Sequence, residues 1–268
     1  GRSHGRAVGS GAAPLALEMR SNLIFDLDGV VYLGDRPVSG AGETLERLHA
    51  AGHHILFCTN NASRTRSQSA EKIRRVTGYP ASPDQVASSA MAAGRLVPES
   101  ARVLMVGGDG VAEAIKDRNG ILVDEVDADT VVVGIDFSFT YDKLDLASAA
   151  VRNGAIFIAT NRDLTYPSPE RLRPGAGSIV AAVEAASGVT PTTAGKPEAT
   201  MRRLLSEMLV DGPVTVIGDR PDTDLAMAHA EGWSSVLVHT GVTPAGASVY
   251  PEPTHRIASI VDVAGLLD

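Results

Sequence analysis

Short apolar runs and longer stretches of helical spacing alternate along almost the whole chain. Ser21–Phe25 (SNLIF), His54–Cys58 (HILFC), Arg102–Val106, Thr130–Val133, Ala155–Ala159, Val214–Ile217 and Ser235–Val238 are compact apolar runs, the pattern of strands buried on both faces. Between them, Ala41–Ala51, Ser67–Val76, Tyr141–Arg152, Ser178–Ser187 and Thr200–Leu209 carry apolar positions at helical spacing. Strands alternating with such helices build βαβ units, so the expected fold class is α/β with parallel sheets. Val97–Ser100 and Thr190–Thr193 read as linkers, and no repeat of fixed period is present. In open parallel sheets ligands bind beyond the carboxyl ends of the strands, so the residues that follow each strand carry the candidate chemistry.

The first strand runs into Asp26-Leu27-Asp28-Gly29. Residues i and i+2 of a strand point to the same side, which aims both acids into one pocket. Two bare carboxylates about 4 Å apart repel by roughly 4 kcal/mol at an effective dielectric near 20. A divalent cation between them, or a proton on one of them, relieves that cost; the same spelling also fits a turn with solvated acids. After HILFC comes Thr59-Asn60-Asn61, a hydroxyl and two amides near an expected helix start, groups that suit phosphate oxygens. Gly195-Lys196-Pro197 places a point charge before a helix, and Gly218-Asp219-Arg220-Pro221-Asp222-Thr223-Asp224 ends a strand on an acid, with Pro221 suited to a first helical position. Each stretch alone also fits plain turn or capping chemistry; it is their order and placement at strand ends that gives them meaning.

Composition narrows the partners. The 268 residues suffice for one large or two modest domains, and a net charge of −8 argues against nucleic acid or an anionic membrane surface. A phosphorylated small molecule stays compatible, because a bound metal reverses the sign of one site. The single Cys58 excludes an internal disulfide and suits a reducing, cytoplasmic setting. No apolar run approaches the length of a membrane span. Residues 1–20, rich in Gly, Ala and Arg, read as a disordered leader outside the fold; His4 falls there. Gly107-Gly108-Asp109-Gly110 lacks the third glycine of a dinucleotide fingerprint, with Glu113 in its place, and reads as a tight turn. His53, His54 and His255 lack metal-ligand spacing, and Cys58, inside a buried strand, reads as core.

Taken together, the four strand-end stretches resemble the motifs of the haloacid dehalogenase superfamily, across essentially residues 22–268. The finer resemblance is to its NagD-like, p-nitrophenylphosphatase-type branch with a C2-type cap, carried by Val132–Asp136, Thr140–Leu144, Ala159–Asp163, Pro174–Ser178 and Thr240–Val242. This implies a Rossmann-like parallel-sheet core, residues 21–87 and 190–268, with a smaller α/β cap domain inserted at 88–189. It implies a Mg²⁺-dependent phosphatase for small phosphorylated metabolites, acting through an aspartyl-phosphate. Asp26 would be the nucleophile and Asp28 the acid and base. Thr59, Asn60, Asn61 and Lys196 would hold the phosphoryl group. Asp26 and Asp219 would bind the metal through side chains and Asp28 through its carbonyl, with Asp224 supporting Lys196 or the metal. An acid at position 28 favours phosphoester hydrolysis, since dehalogenase and phosphonatase branches typically lack it. The cap loop Asn161–Pro167 would read the leaving group through Arg162 and Tyr166, and the resemblance leaves room for a homodimer through the cap. The alternatives are a phosphotransferase or mutase of the same superfamily and a phospho-accepting domain without turnover.

Overall fold

The computed structural model describes residues 20–167 and 171–267; the expected leader, but for Arg20, and His4 lie outside the described residues. Six parallel strands form the larger sheet, in the order His255–Ile257, Ser234–Val238, Val214–Gly218, Asn22–Phe25, His54–Thr59, Val86–Ser88. Five more form a second parallel sheet, in the order Thr192–Thr193, Ile156–Ala159, Thr130–Val133, Arg102–Val106, Ile121–Val123. The α/β architecture follows the sequence reading, and every long strand read from the sequence is present to within one residue at each end. Thr192–Thr193 differs. It is a strand of the second sheet rather than part of a linker, because it completes an edge beside Ile158 and Ala159.

Alternation along the strands explains the layering. Leu23, Phe25, Ile55, Phe57 and Ile217 face one way and pack with Leu45, Leu48 and Ile73 of flanking helices. Ile24, Leu56, Cys58 and Val216 face the other way, into a layer shared with Val103, Val132 and Ile158 of the second sheet. A third layer, with Leu104, Val106, Val131 and Val133, covers that sheet's far side. Fully burying one such side chain contributes about 1.5–3 kcal/mol. Uninterrupted apolar strands are the consequence of having both faces covered.

The turn read at residues 107–110 is a strand-to-helix turn, between the strand Arg102–Val106 and the helix Asp109–Lys116. Gly108 precedes the helix Asp109–Lys116, and Gly110 lies so close to the loop after Thr59 that a Cβ would meet the Arg64 carbonyl at 2.2 Å. Glycine is what lets the two backbones touch. Among the described residues no helix is long and apolar enough to cross a membrane.

Candidate active site

Parallel register brings the strand ends into line. Phe25 is level with Ile217 on one side and Phe57 on the other, so Asp26, Thr59 and Asp219 emerge at the same edge. The Asp26 N–H donates to the Ile217 carbonyl at 2.8 Å, fixing the first acid where the sheet ends. Above this edge lies a cavity of about 320 Å³, lined by Asp26, Asp28, Thr59, Lys196 and Asp219 from the larger sheet's side and by Tyr166 and Arg173 from the other.

Lys196 occupies the centre. Its Nζ donates to Asp26 Oδ1 at 2.5 Å, to Asp224 Oδ1 at 2.7 Å and to the Cys58 carbonyl at 3.1 Å. Burial disfavours the ammonium, but Asp224 and Asp26 more than offset it and hold its pKa well above the ordinary lysine value. Burial pushes Asp26 well above the usual carboxylate range, with Lys196 pulling it back and Asp224 and Asp219 adding to the rise. Asp224 is fixed twice, since its Oδ2 also accepts from the Arg220 N–H at 3.1 Å. It supports Lys196 from within the Pro221–Leu225 turn, which Pro221 opens as expected.

Asp219 is held by main chain. Its Oδ2 accepts from the Val242 N–H at 2.7 Å, and its carbonyl accepts from Thr243 Oγ1 at 2.6 Å. Gly241 and Gly29 press against the carboxylate: a Cβ on Gly241 would stand 1.9 Å from Oδ2, and Gly29, at φ +96°, leaves room for 2.6 Å. The remaining oxygen, Oδ1, is buried with no hydrogen-bond partner among the described residues. An orphaned buried acceptor is costly unless something positive completes it. Asp26, Asp219 and Asp224 each offer an oxygen, all within 4.8 Å of one another. Since Lys196 and Arg220 take up Asp224, Asp26 and Asp219 are the two carboxylates free to face a cation. An all-oxygen donor set, with no thiol or imidazole among these acids, fits Mg²⁺.

Asp28 lines the same cavity, and burial raises its pKa above the usual carboxylate value. Thr59 also lines it, its Oγ1 accepting from the Asn61 N–H at 3.0 Å. The helix after this loop begins at Arg66 with Thr65 as its cap, one residue before the Ser67 read from the sequence and five beyond Asn61. Asn61 therefore spends its Oδ1 on the Ser63 N–H and hydroxyl, shaping the loop. The Asn60 side chain is likewise taken up: Oδ1 accepts from the Lys196 N–H at 2.8 Å, and Nδ2 donates to the Lys196 carbonyl at 3.2 Å and to Asp163 Oδ2 at 3.1 Å. The Asn60 amide is thus engaged at both its oxygen and its nitrogen, while Asn61 is shown engaged through its oxygen; both residues border the cavity.

Arg162 corrects the sequence reading. Its guanidinium pairs with Glu184 on the helix Ala176–Ser187 and does not line the cavity. Tyr166 does line it, and the cation beside that tyrosine is Arg173. The two are direct partners across the antiparallel strands Thr165–Pro167 and Leu172–Pro174, with the Arg173 guanidinium carbon 5.9 Å from the Tyr166 ring centre. Reading 165–167 and 172–174 in the sequence as two short antiparallel strands would have paired them. Lys72 and Arg64 also reach the cavity and were not singled out from the sequence.

Comparison with known proteins places this geometry. Residues 23–120 match the haloacid dehalogenase-like hydrolase model and residues 193–263 a second HAD-hydrolase-like model. The chain is 36% identical over 225 residues to an acid sugar phosphatase of Staphylococcus aureus, covering 82% of this chain and 86% of that one. It is 37% identical over 246 residues to a 5'-nucleotidase of Bacillus subtilis, covering 89% and 95%. A crystal structure of the glycerol phosphate phosphatase of Mycobacterium tuberculosis in complex with magnesium is 34% identical, with a TM-score of 0.82, covering 91% of this chain and 75% of that one. Fold, strand-end acids and relatives define a phosphoric monoester hydrolase. The chain belongs to the haloacid dehalogenase-like hydrolases, in keeping with their NagD-like branch.

Proposed function

We propose that this protein is a Mg²⁺-dependent phosphatase that hydrolyses small cytosolic phosphomonoesters through an aspartyl-phosphate on Asp26. The observation that carries the proposal is the pairing of a buried carboxylate with a buried ammonium, Asp26 and Lys196, beside the unpartnered Asp219 Oδ1. Asp26 and Asp219 would hold the metal with the Asp28 carbonyl. Bound there, Mg²⁺ supplies positive charge against the phosphoryl oxygens and the nucleophile.

The chain's own groups account for the rest. Lys196 offsets part of the burial that disfavours the Asp26 carboxylate, and in its ionised form a carboxylate oxygen of Asp26 can attack phosphorus while the ester oxygen departs. The departing oxygen takes its proton from Asp28, whose burial favours the protonated form. Asp28 then accepts a proton from water as the water oxygen attacks phosphorus and the bond to Asp26 breaks, releasing orthophosphate. Lys196 and the Thr59 hydroxyl would meet the charge that develops on the phosphoryl oxygens. Asn60 positions Lys196, and Asn61 shapes the loop that presents Thr59. Tyr166, with Arg173 in the place first given to Arg162, would face the leaving group.

The experiment is p-nitrophenyl phosphate hydrolysis by the whole chain with Mg²⁺, with EDTA, and in Asp26→Asn. Turnover that needs Mg²⁺ and disappears in the variant is the expected result. Full activity in chelator sinks the metal assignment, and more than a few per cent of activity in Asp26→Asn sinks the covalent route.

A further inference from the structure

The helix Arg66–Thr77 buries Ser69, Ala70, Ile73 and, unusually, Lys72. Its neighbouring cations are matched: Arg74 pairs with Glu71 at 2.6 Å, and Arg75 with Asp35 at 3.0 Å. Lys72, only 7% exposed, has no ion-pair or hydrogen-bond partner among the described residues; its ammonium rests 3.8 Å from the centre of the Tyr32 ring. Lysine is among the residues least often buried without a paired charge, and a tyrosine face replaces only part of what water gave it. Both Lys72 and Arg64 line the active-site cavity, and Arg64 too lacks an ion-pair or hydrogen-bond partner for its side chain among the described residues. Two carboxylates of the cavity act on both through their charge, Asp28 and Asp35; Asp35 is taken by Arg75, and neither Lys72 nor Arg64 forms an ion pair with Asp28 or Asp35. Lys196, by contrast, is saturated by Asp26 and Asp224.

We infer that the substrate carries a second anionic group on its leaving-group side, a carboxylate or a further phosphate, and that Lys72 and Arg64 receive it. This rests on the phosphatase reading above and deepens it. The matched centre around Lys196 is committed to the phosphoryl group that every phosphomonoester shares. The unmatched pair stands on the wall beside Asp28, where the leaving oxygen takes its proton. An anion placed there gives Lys72 the counter-charge its own helix withholds, and offsets the burial that pushes its pKa below the ordinary lysine value. A neutral polyol would leave the ammonium as it is.

The test uses matched substrates that differ in one group. Glycerol 1-phosphate against 3-phosphoglycerate changes a hydroxymethyl to a carboxylate; glucose 1-phosphate against glucose 1,6-bisphosphate adds a phosphate. The wild-type chain is expected to favour the anionic member of at least one pair in kcat/KM, and the pair it favours identifies the group. Lys72→Met should shrink that preference by about tenfold or more, the scale of one charge-assisted contact. Lys72→Arg should restore it, and Arg64→Gln should weaken it independently. Raising ionic strength should erode the preference in wild type but not in Lys72→Met. Equal kcat/KM for both members of both pairs in wild type overturns the inference. So does a Lys72→Met loss that is uniform across substrates, which would make Lys72 a partner of Asp28 alone. If no phosphomonoester is hydrolysed at all, the phosphatase reading itself fails, an outcome distinct from either.

Discussion

Asn60 grips Lys196 by both ends of its main chain, accepting from its N–H at 2.8 Å and donating to its carbonyl at 3.2 Å. The amide behaves as a neighbouring peptide would, and it fixes the point from which the lysine reaches Asp26. The same Nδ2 touches Asp163, and the Asn60 carbonyl accepts from Asn161 Nδ2 and Ser89 Oγ, both at 2.6 Å. Asn60→Ala should therefore lower kcat about 10- to 100-fold by displacing Lys196, with a smaller change in KM. Steady-state kinetics check this; a kcat within twofold of wild type would remove Asn60 from the positioning of the lysine.

Lys196→Ala leaves Asp26 and Asp224 buried and facing each other without their cation. Activity should drop on the order of 10²–10³-fold, as for other preorganised charges. Stability should fall by roughly 3–5 kcal/mol, the cost of breaking a buried pair. Urea denaturation alongside kinetics separates the two effects. A loss of activity below about threefold would show that Lys196 does not meet the phosphoryl group.

Gly241→Ala should loosen the metal site without touching a titratable group. The new methyl would stand 1.9 Å from Asp219 Oδ2, so either the carboxylate or the Val242 loop must shift. Displacing such a support typically weakens metal affinity about 10- to 100-fold. A Mg²⁺ titration of activity measures the shift in midpoint, and an unchanged midpoint would argue that Asp219 is not a ligand.

The same acid sets a pH dependence. Burial first, and Asp224 second, raise Asp219 from 3.8 to about 7. The folded chain thus favours the protonated acid: this stabilisation is fully present below about pH 4 and is lost as pH rises to about 7. In chelator, thermal stability should decline across that window, by no more than roughly 4 kcal/mol at about 1.4 kcal/mol per pKa unit. Mg²⁺ competes with the proton for the same oxygens, so its increment in Tm should be larger at pH 8 than at pH 5. An increment independent of pH would separate the metal from Asp219.

The hairpin allows a contrast between two arginines. Arg162→Ala breaks a partly exposed pair with Glu184 and should leave the ranking of substrates as it was, at a cost of about 0–1 kcal/mol in stability. Arg173→Ala and Tyr166→Ala, which alter the cavity wall, should shift relative kcat/KM across a panel of phosphomonoesters. Identical profiles for all three would take the hairpin out of substrate selection.

These contrasts mark where the sequence was legible. Central strands such as Arg102–Val106 announced themselves, because burial on both faces leaves an uninterrupted apolar run. Edge strands such as Ile121–Val123 and His255–Ile257 were not visible: three residues are too few to show a period, and the second opens on polar His255 and Arg256. Asp26, Asp28, Thr59, Lys196 and Asp219 could be read because parallel topology sends strand ends to one place. Which of Arg162 and Arg173 reaches the cavity could not, because it depends on how a short hairpin turns its alternate side chains. Lys72 was hidden for a related reason: a lysine on a helix reads as solvated until the neighbouring strands show which face is covered.

The apolar layer that holds Ile24, Leu56 and Val216 of the larger sheet together with Val103, Val132 and Ile158 of the smaller one belongs to neither alone. Cutting the two sheets apart would wet both sides of that layer at once. The whole chain should therefore melt in a single cooperative transition, with calorimetric and van't Hoff enthalpies in agreement, and Val132→Ala should lower the common midpoint instead of splitting it. A chain so joined cannot let its smaller sheet swing far from the catalytic edge without beginning to unfold.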